Sequence, residues 1–132
     1  MIKFFSNYRI IFYSLNIFLI TLYLFPGSLV GWFIYGNKKI QPQITPDFLI
    51  SSNHFYVFIL ISAIGFLSFK NQNQIKNLII YLVLLSLILE IFHLFIPERS
   101  FQLSDLFGNF LGVIVVILVR KLINKYGVFK NY

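Results

Sequence analysis

The chain has 132 residues, of which 58% are hydrophobic and only 11% charged, and its mean hydropathy of +0.82 lies far from that of a soluble domain. Such a composition marks an integral membrane protein with no length to spare for a soluble domain, and the absence of cysteine excludes disulfides, zinc ribbons and thiol catalysis. The formal charge of +7 comes from cations in short groups between apolar stretches, which is a topology signal and not the continuous basic stripe that would make nucleic acid a partner.

A basic leader with Lys3 and Arg9 precedes the first apolar stretch, which begins at Ile10 and meets Pro26 and Gly27 after Phe25. Ser28 to Tyr35 continue apolar, with Trp32 and Tyr35 suited to a membrane interface. A span over residues 10–35 therefore either kinks at Pro26 or stops there and leaves a short interfacial piece. A cleaved signal peptide is the rival reading, but Leu24, Phe25 and Pro26 occupy the zone where small residues would mark cleavage, so a retained span is expected.

Gly36 to Asp47, with Lys38, Lys39, Pro42 and Pro46, reads as a loop. The second span is expected over residues 48–69, with Ser51, Ser52, Asn53 and His54 near its start, and Lys70 to Lys76 reads as a polar turn. The third covers residues 78–96 and carries Glu90 and His93 in its last two turns. After a loop from Pro97 to Ser104, the fourth runs over residues 105–122. The sequence thus predicts an all-α membrane protein, a single transmembrane domain over residues 1–132 with four transmembrane helices in a compact bundle.

With a cytoplasmic N-terminus, Lys3, Arg9, Lys70, Lys76, Arg120, Lys121, Lys125 and Lys130 lie inside, and Lys38, Lys39 and Arg99 lie outside. This positive-inside bias places both termini in the cytoplasm. The acids then fall on the other side: Asp47, Glu98 and Asp105 lie in or beside the outer loops, and Glu90 lies about 10 Å below the end of the third span. His54 and His93 share that outer half.

Spacing puts Glu90, His93 and Pro97 on one face of the third helix, and Asp105, Asn109 and Gly112 on one face of the fourth. The short connection makes these helices antiparallel neighbours. Charges are costly in hydrocarbon, so the cluster is the candidate site. Glu90, His93, His54 and Asp105 are the candidates for acid–base work, and Arg99 and Asn109 for substrate binding.

Structural readings stand beside these. Glu90 can be an ion-pair partner of Arg99, and the histidines can be interfacial hydrogen-bonding groups. Asp105 can complement the helix dipole, worth about 0.3 to 1 kcal/mol. Gly108 and Gly112 read as a small-xxx-small packing pair, and Pro97 as a helix terminator. Glu90 and His93 supply only one of the two Glu-x-x-His pairs that a di-iron bundle needs. A single divalent cation held by His54, Glu90, His93 and Asp105 is geometrically conceivable, and the cofactor is otherwise open.

Glu90 with a polar residue at the next turn, then Pro97, Arg99, Asp105, Asn109 and Gly112, resembles the C-terminal signature of the VanZ-like membrane proteins. That signature is roughly a Glu, a Gln three positions later, a Pro and Arg in the loop, then Asp, Asn and Gly opening the last helix. His54 and Phe55, with Phe58 one turn on, are similar to the family's His-Phe element at the start of its second span. The motifs cover residues 53–112, and size and hydropathy extend the likeness over the whole chain. Two departures stand out: Ile50 and Ser51 occupy the place of the usual Asp-Lys, and His93 that of the usual Gln.

The resemblance implies a multi-pass protein of the bacterial cytoplasmic (inner) membrane, in a family associated with reduced glycopeptide susceptibility and likened to lipid-headgroup enzymes of the phosphatidylserine synthase kind. In that analogy the partners are membrane lipids. The reaction is phosphoester transfer or hydrolysis on a phosphate-bearing lipid or lipid-linked envelope precursor at the outer face. Arg99 would hold the phosphate, Glu90 would act with His93 or His54 in proton transfer, and Asp105 and Asn109 would orient a hydroxyl or a cation. The alternative is a non-catalytic envelope protein that binds a lipid-linked intermediate or a membrane partner through the same cluster. A transporter is a third option, to which a homo-oligomer would lend room.

Overall fold

The computed structural model describes residues 2–127, with side chains from Tyr8 onward. Of the cations used for orientation, the Lys3 side chain and Lys130 lie outside the described residues. Among the described residues five helices follow one another: α1 (Ile2–Leu24), α2 (Leu29–Tyr35), α3 (Ser52–Ser68), α4 (Gln72–Phe92) and α5 (Leu103–Tyr126). No strand occurs among the described residues.

By length and composition α4 and α5, with 21 and 24 residues, can each cross a membrane, since roughly 20 apolar residues span its hydrocarbon. Residues 8–24 of α1 and the whole of α2 qualify only as a broken pair, bent by 81°. α3, at 17 residues, is a shorter apolar helix. The described residues therefore hold two candidate spans, or three when the broken pair counts as one.

The helix ends differ from the expected ones for local reasons. α1 stops at Leu24 because Pro26 forces its predecessor out of helical conformation and Gly27 turns with φ 79°. The helix is broken at Pro26, and α2 leaves the line of α1 at 81°. Ser28 then opens α2, its hydroxyl accepting from the Gly31 amide at 2.9 Å.

α3 begins at Ser52 and not at Phe48, because Asp47 Oδ1 accepts the Ser52 amide at 2.7 Å and holds the preceding residues in a loop. Phe48 and Leu49 stay exposed. The segment read as a turn from Lys70 to Lys76 is mostly helix, since Asn71 caps the Asn73 amide at 2.9 Å and starts α4 six residues early. At its other end α4 gives way after Phe92 to tighter turns, His93, Leu94 and Phe95 each donating to the carbonyl three residues back. Pro97 therefore lies beyond the helix and shares no face with Glu90. Glu90 sits in the last turn of α4, not deep below its end.

α3 is the central helix, packed most extensively on α5 and next on α1. A Cβ on Gly108 would lie 2.8 Å from the Ser51 carbonyl oxygen, and one on Gly112 would lie 2.7 Å from that of Phe55. The glycine pair is therefore what lets α5 lie directly on the backbone of α3. Phe58, Ile61, Leu82, Leu89 and Val113 form the centre of the apolar core. Ile17, Phe18 and Leu118 point outward among many exposed apolar side chains, while Glu90, Asn109, His93 and His54 are buried. That inverted distribution suits a lipid solvent.

Candidate functional site

Helix ends converge on the polar cluster. The last turn of α1 brings Tyr23, the first turn of α3 brings His54, the end of α4 brings Glu90 and His93, and the first two turns of α5 bring Asp105 and Asn109. Ser51, just before α3, donates its amide to the Ser104 carbonyl at 3.1 Å and ties the starts of α3 and α5 together.

Tyr23 occupies the middle. Its hydroxyl donates to Asn109 Oδ1 at 2.9 Å and lies 3.0 Å from His54 Nδ1. Its carbonyl oxygen accepts from His93 Nε2 at 3.1 Å. Its ring stacks on His93 at 5.7 Å and meets His54 edge-on at 4.9 Å. His54 Nδ1 also lies 3.2 Å from Asn109 Oδ1, and its Nε2 lies 3.4 Å from Asp105 Oδ2.

Glu90 forms the second arm. Oε1 accepts the Gln102 amide at 2.9 Å, and Oε2 faces His93 Nδ1 at 3.4 Å. Glu90 and Asn109 are both 0% exposed, yet among the described residues Glu90 Oε2 and Asn109 Nδ2 have no hydrogen-bond partner. The two histidines, at 5% and 2% exposure, are packed inside the bundle, and His93 bonds backbone there through the Tyr23 carbonyl.

Arg99 does something else. Its Nη2 donates to the Leu22 carbonyl at 2.9 Å and its Nε to the Phe25 carbonyl at 3.3 Å. The pairing of Glu90 with Arg99 considered from the sequence is thus replaced by Glu90 with His93. The physical reason is that the last carbonyls of α1 lack intrahelical donors and carry the negative end of its dipole, which a forked guanidinium satisfies. Burial lowers the Arg99 pKa from its ordinary value, opposed by Tyr23, Asp105 and Glu90.

Two cavities adjoin the cluster. One, of about 310 Å³, is lined mainly by apolar groups such as Leu22, Leu29, Val30, Ile44 and Val57, and also by Tyr23, His54, His93 and Arg99. The other, of about 280 Å³, is lined by Lys38, Lys39, Glu98, Arg99, Gln102 and Asp105 among others. Ser28, Gln41, His93 and Arg99 line both. Lys38 reaches the polar cavity because the loop after α2 folds back: the Ser28 amide donates to the Lys38 carbonyl at 2.6 Å, and Lys38 Nζ pairs with Glu98 at 3.5 Å.

All six residues chosen from the sequence lie around this one end of the bundle. His54, Glu90 and Asp105 each offer a ligand atom, all within 4.8 Å of one another. His93 stands outside that triangle, its nitrogens engaged with Glu90 and the Tyr23 carbonyl. Sequence reasoning missed Tyr23 as a site residue and used Lys38 and Lys39 only for orientation. The available signal for Tyr23 was a phenol three residues before a proline stop, in a chain where 20% of residues are aromatic.

The family model described as VanZ/LLP1 matches residues 5–124 of the chain. No curated protein matches it, and no solved structure does.

Proposed function

The chain belongs to the VanZ/LLP1 family, and from that premise we propose that it acts on a phosphate-bearing lipid or lipid-linked envelope precursor at the outer face of the bacterial cytoplasmic membrane. The observation that carries this reading is the pair of adjoining cavities. One is apolar and of a size for the first part of a lipid chain. The other gathers Lys38, Lys39 and Arg99, three cations suited to a phosphate. In this reading the broken α1–α2 pair and α3 cross the membrane with α4 and α5, which gives four crossings and cytoplasmic termini.

The reaction is phosphoester transfer or hydrolysis. A hydroxyl or water attacks phosphorus, its proton passing to His54, which lines the apolar cavity. The bond to the leaving oxygen breaks, and that oxygen takes a proton from His93. Asp105 holds His54 in place, and the three cations carry the charge of the phosphoryl oxygens. Loss of the protein is then expected to alter envelope lipids and, through them, glycopeptide susceptibility.

One observation favours the second reading, a non-catalytic binder of a lipid-linked ligand: Glu90 lines neither cavity. Proteoliposomes decide between them. If the protein is an enzyme, phosphate-bearing lipid is turned over by the wild type, while His54→Gln and Asp105→Asn bind that lipid without turnover. Binding that depends on Lys38, Lys39 and Arg99, with no turnover by the wild type, selects the binder. Absence of both binding and turnover sinks the phosphate-lipid reading.

A further inference from the structure

We infer that His54, Glu90 and Asp105 form a site for one divalent transition-metal ion of the zinc or manganese kind. The inference rests on the protein's own side chains and not on the lipid reading.

The first argument is geometric. Three ligand atoms from three different helices lie within 4.8 Å of one another. The His54 Nε2 to Asp105 Oδ2 distance is 3.4 Å, which is the edge length of a tetrahedron whose metal–ligand bonds are about 2.1 Å. One imidazole nitrogen and two carboxylates make a donor set suited to these ions.

The second argument comes from the other side of the His54 ring. Asn109 Oδ1 can only accept, and it lies 3.2 Å from His54 Nδ1. The Tyr23 hydroxyl, 3.0 Å from Nδ1, gives its own proton to Asn109 Oδ1 and so turns a lone pair toward the ring. Both contacts ask Nδ1 to carry the proton. In the neutral ring Nε2 is then left with a lone pair facing the Asp105 carboxylate. Two acceptors face each other there, and a cation between them resolves the conflict. A ligating histidine whose second nitrogen donates to an oxygen acceptor is the usual arrangement around metals.

The third argument separates a metal from a proton. A proton on His54 Nε2 would satisfy Asp105 and leave Glu90 unchanged. Glu90 is 0% exposed, and the near neighbour of its Oε2 is His93 Nδ1 at 3.4 Å. His93 Nε2 donates to the Tyr23 carbonyl, so a neutral His93 turns a lone pair and not a proton toward Oε2. That oxygen is left without a donor among the described residues, a costly state for a carboxylate removed from water. A metal ion draws Glu90 into the same centre. Asp105, which also lines the polar cavity, brings the ion to the edge of that space.

The test is a titration of the full chain in detergent, stripped by a chelator, with zinc alone and separately with manganese alone, and with no lipid present. Calorimetry is expected to show saturable binding of about one ion per chain in the wild type and in Asp47→Asn, a carboxylate outside the cluster. His54→Gln and Asp105→Asn are expected to lose it. X-ray absorption of the zinc-loaded wild type should show one imidazole nitrogen with carboxylate oxygens at about 2.0–2.2 Å, a readout that holds even if the variants do not fold. No saturable binding of either ion by the wild type, unchanged binding in both ligand variants, or a zinc shell without histidine overturns the inference. Because no lipid enters the experiment, its failure leaves the phosphate-lipid reading standing, whereas its success turns His54 from proton acceptor into ligand within that reading.

Discussion

Tyr23 gives its hydroxyl proton to Asn109 Oδ1 at 2.9 Å, joining the last turn of α1 to the second turn of α5 across the head of α3. The bond is buried, and removing the oxygen without changing the ring isolates it. Tyr23→Phe is expected to destabilise the protein in detergent by about 1 kcal/mol, read as a lower thermal midpoint. It also takes away one of the two acceptors on His54 Nδ1. An unchanged midpoint would show that this bond contributes nothing net.

Packing of α5 on α3 depends on two missing side chains. Gly112→Ala places a carbon 2.7 Å from the Phe55 carbonyl oxygen and 2.9 Å from Phe58 Cβ, neither of which is a flexible side-chain end. The helices must separate, at a cost of about 1–3 kcal/mol. The midpoint should fall well below that of Leu118→Ala, a truncation of an exposed side chain. Equal midpoints would contradict the close approach.

Arg99 binds the Leu22 carbonyl in the last turn of α1 and the Phe25 carbonyl just beyond it through two nitrogens of one planar group. A lysine cannot reproduce that fork. Arg99→Lys is expected to cost about 1–2 kcal/mol and to speed amide hydrogen exchange around residues 25–31, where α1 ends and α2 begins. Exchange unaltered there, with only the anion-binding behaviour changed, would mean that Arg99 does not hold the break.

Lys38 and Glu98 are 3.5 Å apart with side chains 47% and 33% exposed, so the pair is worth at most about 1 kcal/mol to stability. Its larger effect falls on the field in the polar cavity. Glu98→Gln should leave the midpoint nearly unchanged while strengthening binding of anionic phospholipid in nanodiscs. Lys38→Ala with Lys39→Ala should weaken that binding and flatten its salt dependence. Opposite signs would remove the polar cavity from the phosphate reading.

Orientation is tested with the chain's lack of cysteine. Single cysteines at positions 38 and 70 are treated with a membrane-impermeant thiol reagent in intact cells. Position 38 is expected to react and position 70 to remain protected. The reverse pattern would put the polar cluster on the cytoplasmic side.

Helical periodicity carried much of the site in the sequence. Glu90 with His93, and Asp105 with Asn109, are three and four positions apart, so their grouping follows from helix geometry alone. The loop between them is short enough to bring the groups together. Tyr23 was not legible in this way, because its partners lie 31 and 86 residues along the chain and a phenol in an apolar stretch looks like any lipid-facing aromatic. Arg99 illustrates a different loss. The sequence offers it a carboxylate, but the unsatisfied end of α1 has no marker other than Pro26, and that end claims the guanidinium. The start of α4 is hidden because Gln72 to Asn77 are polar apart from Ile75, and the cap on Asn71 overrides that polarity.

A Cβ placed on Gly31 would overlap the Ile40 carbonyl oxygen, so the loop after α2 lies in direct contact with that helix's backbone. Lys38 and Lys39 arrive at the polar cavity on that loop. Any side chain at position 31 would lift it, and both cations would leave with it. The charge of the cavity is thus governed from a residue that has no functional group, and a damaging substitution there would disarm the site while leaving every residue of the polar cluster in place.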